Sequence, residues 1–120
     1  MTNITPHVIR VVSPDGNVLA EWPASGRVAR VSMVSTPASP LYGPGGQLIP
    51  VCTQQFGEVT GLPPVSLSPT GTITEIYLVS AMVRLALEER IDLFSPGELV
   101  RGADGQPTGC LGLVGNGGTL

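Results

Sequence analysis

Lysine is absent from this chain, and charge of either sign is scarce. All six basic residues are arginines, set against nine acids and a single histidine, for a formal net charge of −3. Charged residues occupy 12% of the 120 positions, roughly half the usual share. Duplex nucleic acid is gripped through clustered Lys and Arg, so this balance excludes it as an expected partner. Arg10, Arg27 and Arg30 fall close enough together to share a sheet face, and the other arginines are dispersed.

Aromatic residues are equally sparse, at 4%, although 42% of the chain is apolar. Any packed interior must therefore be built from Val, Leu, Ile and Ala. A chain of this length makes one domain, residues 1–120, that needs no metal or disulfide staple. No run approaches the ~18 apolar residues required to span a bilayer. The first twelve residues lack the basic start and apolar stretch of a secretory leader, so no membrane partner and a cytoplasmic location are expected. Cys52 and Cys110 lie far apart in apolar settings and are expected as two buried, reduced thiols. No CxxC or His/Cys cluster suggests a metal, and no cofactor is expected. With so little charge, the surface must rest on Ser, Thr, Gly and Pro or be covered by another subunit. A homo-oligomer is the expected state.

What the chain does contain is a series of short β-prone runs separated by Pro and Gly. Residues 7–12 and 18–22 read as two strands around the turn Pro14-Asp15-Gly16-Asn17. Residues 27–33 read as a third, with a bulge suggested by imperfect alternation. Residues 36–46 hold three prolines and three glycines and read as a loop, either an exposed connector or a ligand lid. Residues 47–53 and 55–60 read as two further strands, 61–71 as a second Pro-rich loop, and 72–79 as a strand. Ser80 is a candidate N-cap for the one main helix, about 80–90, with Val83, Ala86 and Leu87 on one face and an Arg84–Glu88 pair on another. Pro96-Gly97 breaks the chain, Asp104-Gly105 marks a last hairpin, and 108–114 closes it. Residues 115–120 form a glycine-rich tail expected to be flexible. The expected class is α+β: a mainly antiparallel β-sheet, one main helix and Pro/Gly-rich loops.

Catalysis has little to draw on. His7 is the single imidazole, placed after Pro6 at a strand start where it more often satisfies backbone than transfers protons. The acids form no evident dyad, and no Walker loop, GxGxxG or HExxH occurs. No enzyme activity and no catalytic or metal-ligating residues are expected. Binding is better served. The junction at Ser80 offers backbone N–H groups and the positive end of a helix to an anion, unless Ser80 merely caps. Arg84, Arg30 and Arg101 are candidate phosphate forks. Phe56 and Tyr77 are candidates to stack on a base, unless both belong to the core. With His7 these make seven candidate ligand-binding residues.

Several segments occur in an ordered series: Ile4-Thr5-Pro6-His7, Gly26-Arg27-Val28-Ala29-Arg30-Val31-Ser32, Phe56-Gly57-Glu58-Val59-Thr60-Gly61-Leu62-Pro63, Ile76-Tyr77-Leu78-Val79-Ser80-Ala81-Met82-Val83, then Asp104-Gly105 and Gly109-Cys110. The series resembles a family of short phage and prophage proteins that open with a Thr-Pro-His motif. It departs from that family where Gly102, not an acid, follows Arg101, and where Thr74-Glu75 interrupts the run into the helix. Phage proteins of this size include anti-defence sponges of the anti-Thoeris and anti-CBASS kind, oligomers that sequester nucleotide immune signals. The resemblance implies a non-catalytic protein of the host cytoplasm that binds a small phosphate-containing nucleotide signal. The alternative is a virion accessory or protein-interaction module.

Overall fold

A computed structural model describes residues 1–117 of the chain. Its ten strands and one helix run β1 (Thr2–Asn3), β2 (Ile9–Val12), β3 (Val18–Trp22), β4 (Arg30–Tyr42), β5 (Leu48–Thr60), β6 (Tyr77–Leu78), α1 (Ala81–Ala86), β7 (Leu93–Pro96), β8 (Leu99–Arg101), β9 (Pro107–Cys110) and β10 (Leu113–Gly115). Two four-stranded sheets have the orders β1-β6-β7-β10 and β3-β2-β9-β8, and β4 pairs with β5 alone. The β-rich α+β class holds, but the sheets are mixed. Four pairings, β2–β3, β4–β5, β8–β9 and β7–β10, are antiparallel as expected, while β1–β6, β6–β7 and β2–β9 are parallel, a feature the expectation lacked.

The parallel pair β6–β7 explains both the apolar run before Ser80 and the helix after it. Adjacent parallel strands need a crossover, and residues 79–92 supply it with α1 inside. β6 is buried on both faces because successive side chains alternate. Tyr77 and Val79 join Ile4, Ala29, Val83 and Leu93 in one apolar cluster under α1. Leu78 points the other way, into a cluster with Ile9, Val11 and Cys110 between the two sheets. The body is thus three layers deep: one sheet, the other sheet, then α1 with the root of β4–β5.

The helix is shorter than the expected 80–90. Ser80 does cap it, its hydroxyl accepting from the Val83 N–H at 3.3 Å. Leu87 then leaves helical geometry, since the chain must reverse to lay Leu93 beside Tyr77. Asn116 adds a second donor to the carbonyls of this turn, its amide nitrogen lying 3.0–3.1 Å from the oxygens of Arg84, Leu87 and Arg90, which already accept from the N–H groups of Leu87, Arg90 and Leu93. Glu88 falls beyond the helix, and Arg84 turns instead to Ser95 Oγ (2.8 Å) and Asn116 Oδ1 (3.2 Å). The expected tail is therefore anchored at its start, with Gly115 in β10 and Asn116 clamping α1; residues 118–120 lie outside the described residues. Asp92 is fully buried and paired with Arg90 at 2.8 Å. That hydrogen bond raises the guanidinium pKa, against the opposing effect of burial.

The largest departure from expectation is β4–β5. Residues 36–46, read as a loop, continue β4 as far as Tyr42, and the two strands expected between 47 and 60 are one. Gly43 and Gly46 close the turn between them, the Gly46 N–H donating to the Gly43 carbonyl. The strands register Arg30 with Thr60 and Tyr42 with Leu48, with irregularities between Val31 and Met33 and between Ala38 and Leu41. Each strand of a two-stranded ribbon is an edge, which is where Pro37, Pro40 and Pro50 are tolerated. The result is an arm. The radius of gyration is 18.4 Å, against about 13.6 Å for a compact domain of this length.

Candidate functional site

The segment Ile4-Thr5-Pro6-His7 is built as a lock. Asn3, almost fully buried, donates from Nδ2 to the carbonyls of His7 (2.7 Å) and Trp22 (3.0 Å). Its Oδ1 accepts from the Thr5 N–H at 3.0 Å. The Thr5 hydroxyl stands 2.7 Å from Asn3 Oδ1 and 3.0 Å from the His7 carbonyl oxygen. These contacts fix the turn from within, and Pro6 and His7 stand exposed.

Those two residues line a groove of about 980 Å³. Ile9 and Arg10 of β2, Ser80 and Ala81, and Leu99 with residues 107–110 of β8–β9 also line it. The lining is chiefly apolar. Arg10 is its one arginine, and that charge is already matched by Glu21 at 2.7 Å. A smaller recess of about 230 Å³ shares Pro6 and Ser80 with the groove and extends along residues 28–31 to the root of β4.

Of the seven candidate residues, the structure brings three together. His7 and Ser80 line the groove, and Arg30 lines the recess beside it. The other four are elsewhere. Tyr77 is a core residue. Arg84 faces Ser95 and Asn116 inside the crossover. Arg101 donates to the Gly105 carbonyl at 2.9 Å, within its own hairpin. Phe56 stands opposite Met33 on the arm. The anion-binding reading of Ser80 is weakened, because its hydroxyl serves as the cap and α1 is six residues long, too short to develop a full macrodipole. Of the two thiols expected to be buried, Cys110 is and Cys52 is not; Cys52 lies exposed in β5, and both are free.

The feature that the sequence reading missed is the arm surface. None of residues 31–57 is Asp, Glu, Lys, Arg or His. The exposed side chains include Tyr42 (78%), Leu41 (63%), Leu48 (58%), Val34, Ile49, Phe56 and Met33. The register places Met33 opposite Phe56 and, one step on, Val34 opposite Gln55; near the tip Leu41 faces Ile49 and Tyr42 faces Leu48. Neighbouring pairs point to opposite sides of the ribbon, so both faces are apolar. The signal available in the sequence was that uncharged stretch, read there as loop composition.

Among the described residues no helix is long and apolar enough to cross a membrane, and no group of three or more His, Cys, Asp or Glu is gathered. No family model, no curated protein and no solved structure matches the chain.

Proposed function

We propose that the protein is a non-catalytic assembly module whose working part is the β4–β5 arm, docked in use against another polypeptide. One observation carries this: a 13-residue-per-strand ribbon with apolar residues on both faces and no charge along residues 31–57. A lone two-stranded ribbon is marginal in water. Solvent-facing edges are ordinarily protected by charge, above all by Lys, and contiguous exposed apolar surface marks an interaction site. The arm has the composition of an interface and the geometry of a probe, reaching roughly 30 Å beyond its Met33–Phe56 pair at about 3.4 Å per residue.

The test replaces the tip, Leu41, Tyr42, Leu48 and Ile49, with serine. These side chains are exposed, so the variant is expected to remain folded, as read by circular dichroism. Association, read as particle mass by light scattering and as retention of any partner through purification, is expected to be lost. A tip variant that associates as the parent does would overturn the reading.

A second reading rests on the groove. Its volume of about 980 Å³ lies at the upper end of small-molecule sites, and His7, Ser80 and the adjoining Arg30 are within its reach. In that reading a phage-type protein sequesters a phosphate-containing nucleotide in the host cytoplasm. Cyclic dinucleotides and ADP-ribose derivatives are the probes. Ligand at a hundred times its dissociation constant stabilises by about 2.7 kcal/mol, which a thermal-shift assay detects. Absence of any shift across the set would dismiss it.

A further inference from the structure

We propose that the arm's partner is a second copy of this chain, and that the groove beside its root receives the partner's arm. The proposal rests on the assembly reading above and goes further by naming both the occupant and the acceptor surface.

Area is the first argument. The chain exposes 7704 Å², whereas a compact monomer of its 12.4 kDa exposes roughly 6,100 Å² by the usual scaling with mass. The surplus is on the order of 1,500 Å² per chain, so two chains covering it would bury on the order of 3,000 Å², within the range of obligate homodimers. The molecule is extended, 58 Å in its longest dimension, and Met33, Val34, Leu41, Tyr42, Leu48, Ile49 and Phe56 of the arm are all exposed.

Charge is the second. The arm carries none between Arg30 and Glu58. An acceptor for it must be apolar and must not leave an unpaired ion under it, because a buried unpaired charge is costly. The groove meets that condition: apolar atoms dominate its lining, and its one arginine, Arg10, is already paired with Glu21. A heterologous partner would have to provide such a surface independently. This chain already has it.

Continuity is the third. The groove runs through Pro6 and Ser80 into the recess along residues 28–31, where β4 begins. An incoming arm lying in the groove therefore meets the root of the outgoing one. When arm and acceptor adjoin in this way, one twofold axis satisfies both contacts at once, and the assembly closes as a dimer rather than extending as a fibre.

The experiment uses three proteins and one mixture, with mass read by light scattering and folding checked by circular dichroism. The parent is expected at twice the 12.4 kDa of the chain. The tip variant (Leu41, Tyr42, Leu48 and Ile49 to Ser) is expected as a folded monomer, its dimerisation weakened by at least about 100-fold through loss of the central apolar anchors. The groove variant Leu99→Glu/Thr108→Glu, at two exposed lining positions, is likewise expected as a folded monomer. Mixing tip and groove variants is expected to restore a dimer, because an intact arm of one enters the intact groove of the other. A dimeric groove variant, or a mixture that stays monomeric, would overturn the groove as acceptor while leaving the arm as the assembly element. A monomeric parent would overturn self-association and send the arm to a different polypeptide. A dimeric tip variant would overturn this inference and the assembly reading together.

Discussion

Asn3 joins two sheets through one side chain, and replacing it with alanine should show this directly. Its amide and carbonyl serve the His7 and Trp22 carbonyls and the Thr5 N–H and hydroxyl, and so tie β1 of one sheet to the end of β3 in the other. In Asn3→Ala the His7 oxygen still has the Thr5 hydroxyl at 3.0 Å, but the part-buried Trp22 carbonyl and the buried Thr5 N–H lose their side-chain partner. Each unsatisfied buried group costs about 1–3 kcal/mol, so the expected loss is about 3 kcal/mol. With unfolding entropy near 2.1 cal/mol/K per residue, that lowers the melting temperature by roughly 12 °C. The measurement belongs in the tip-variant background, so that association does not contribute to the melting temperature. Thr5→Val should cost about 1 kcal/mol alone and less in the Asn3→Ala background, because both act in one network. Asn3→Asp keeps an acceptor but points a carboxylate at two carbonyls, and should be at least as destabilised at pH 7. The reasoning fails if Asn3→Ala costs under about 1 kcal/mol, or if Asn3→Asp melts with the parent.

Three further expectations concern other parts of the body. Arg90→Met should destabilise by about 3–5 kcal/mol in urea titration, since it strands the buried Asp92 carboxylate; the double change Arg90→Met/Asp92→Leu should lose less than the single one. Asn116→Ala should leave the global midpoint within about 2 kcal/mol of the parent but speed amide exchange in α1 and residues 87–90, whose carbonyls it clamps. The Ser13 hydroxyl, hydrogen-bonded to Asp15, holds that carboxyl below its ordinary 3.8, with a backbone hydrogen bond assisting. A depressed native pKa means a contact present above pH 3.8 and lost as pH falls through the native value, so an NMR titration of Ser13→Ala should move the Asp15 midpoint upward.

Local chemistry was legible in the sequence, and distant pairing was not. Pro14-Asp15-Gly16-Asn17 announced the β2–β3 hairpin because Gly16 adopts the positive φ the turn requires. Ser80 announced the start of α1 because a cap is a contact with Val83, three residues on. Nothing near Val11 encodes its parallel pairing with Cys110, and nothing near Thr2 encodes Tyr77. The run into Ser80 was read as a strand over 72–79 and the helix as about 80–90; the structure keeps only Tyr77–Leu78 and Ala81–Ala86 of them, in a parallel crossover that the local pattern did not mark. The arm was misread for a different reason. Proline and glycine argue against a strand inside a sheet, yet where both strands are edges the same residues fit, so composition alone cannot separate a loop from a free-standing ribbon. Three candidate site residues converge because Pro6-His7, Ser80 and Arg30 all flank one turn-and-crossover junction. Tyr77 follows the sequence order of the same motif but belongs to the core, and Arg84, half-buried, is held by Ser95 and Asn116.

The arm is anchored unevenly, and that bears on how it would work. At its root Val31 and Val59 pack against the cluster under α1, and Gly61 sits at positive φ against the Val28 carbonyl, where a side chain has no room. The root direction is therefore set by the core. Beyond Met33 and Phe56 the ribbon is held by its own ladder and exposes its apolar residues. Binding loses less to ordering when the docking element is already aimed, and a fixed root with an adaptable tip divides those demands. Stability then resides in Asn3, Asp92 and the two apolar clusters, and the side chains to which the proposal assigns association contribute nothing to them. Had the arm been a structural necessity of the monomer, its distal residues would reach the core; instead the core ends where the uncharged stretch begins.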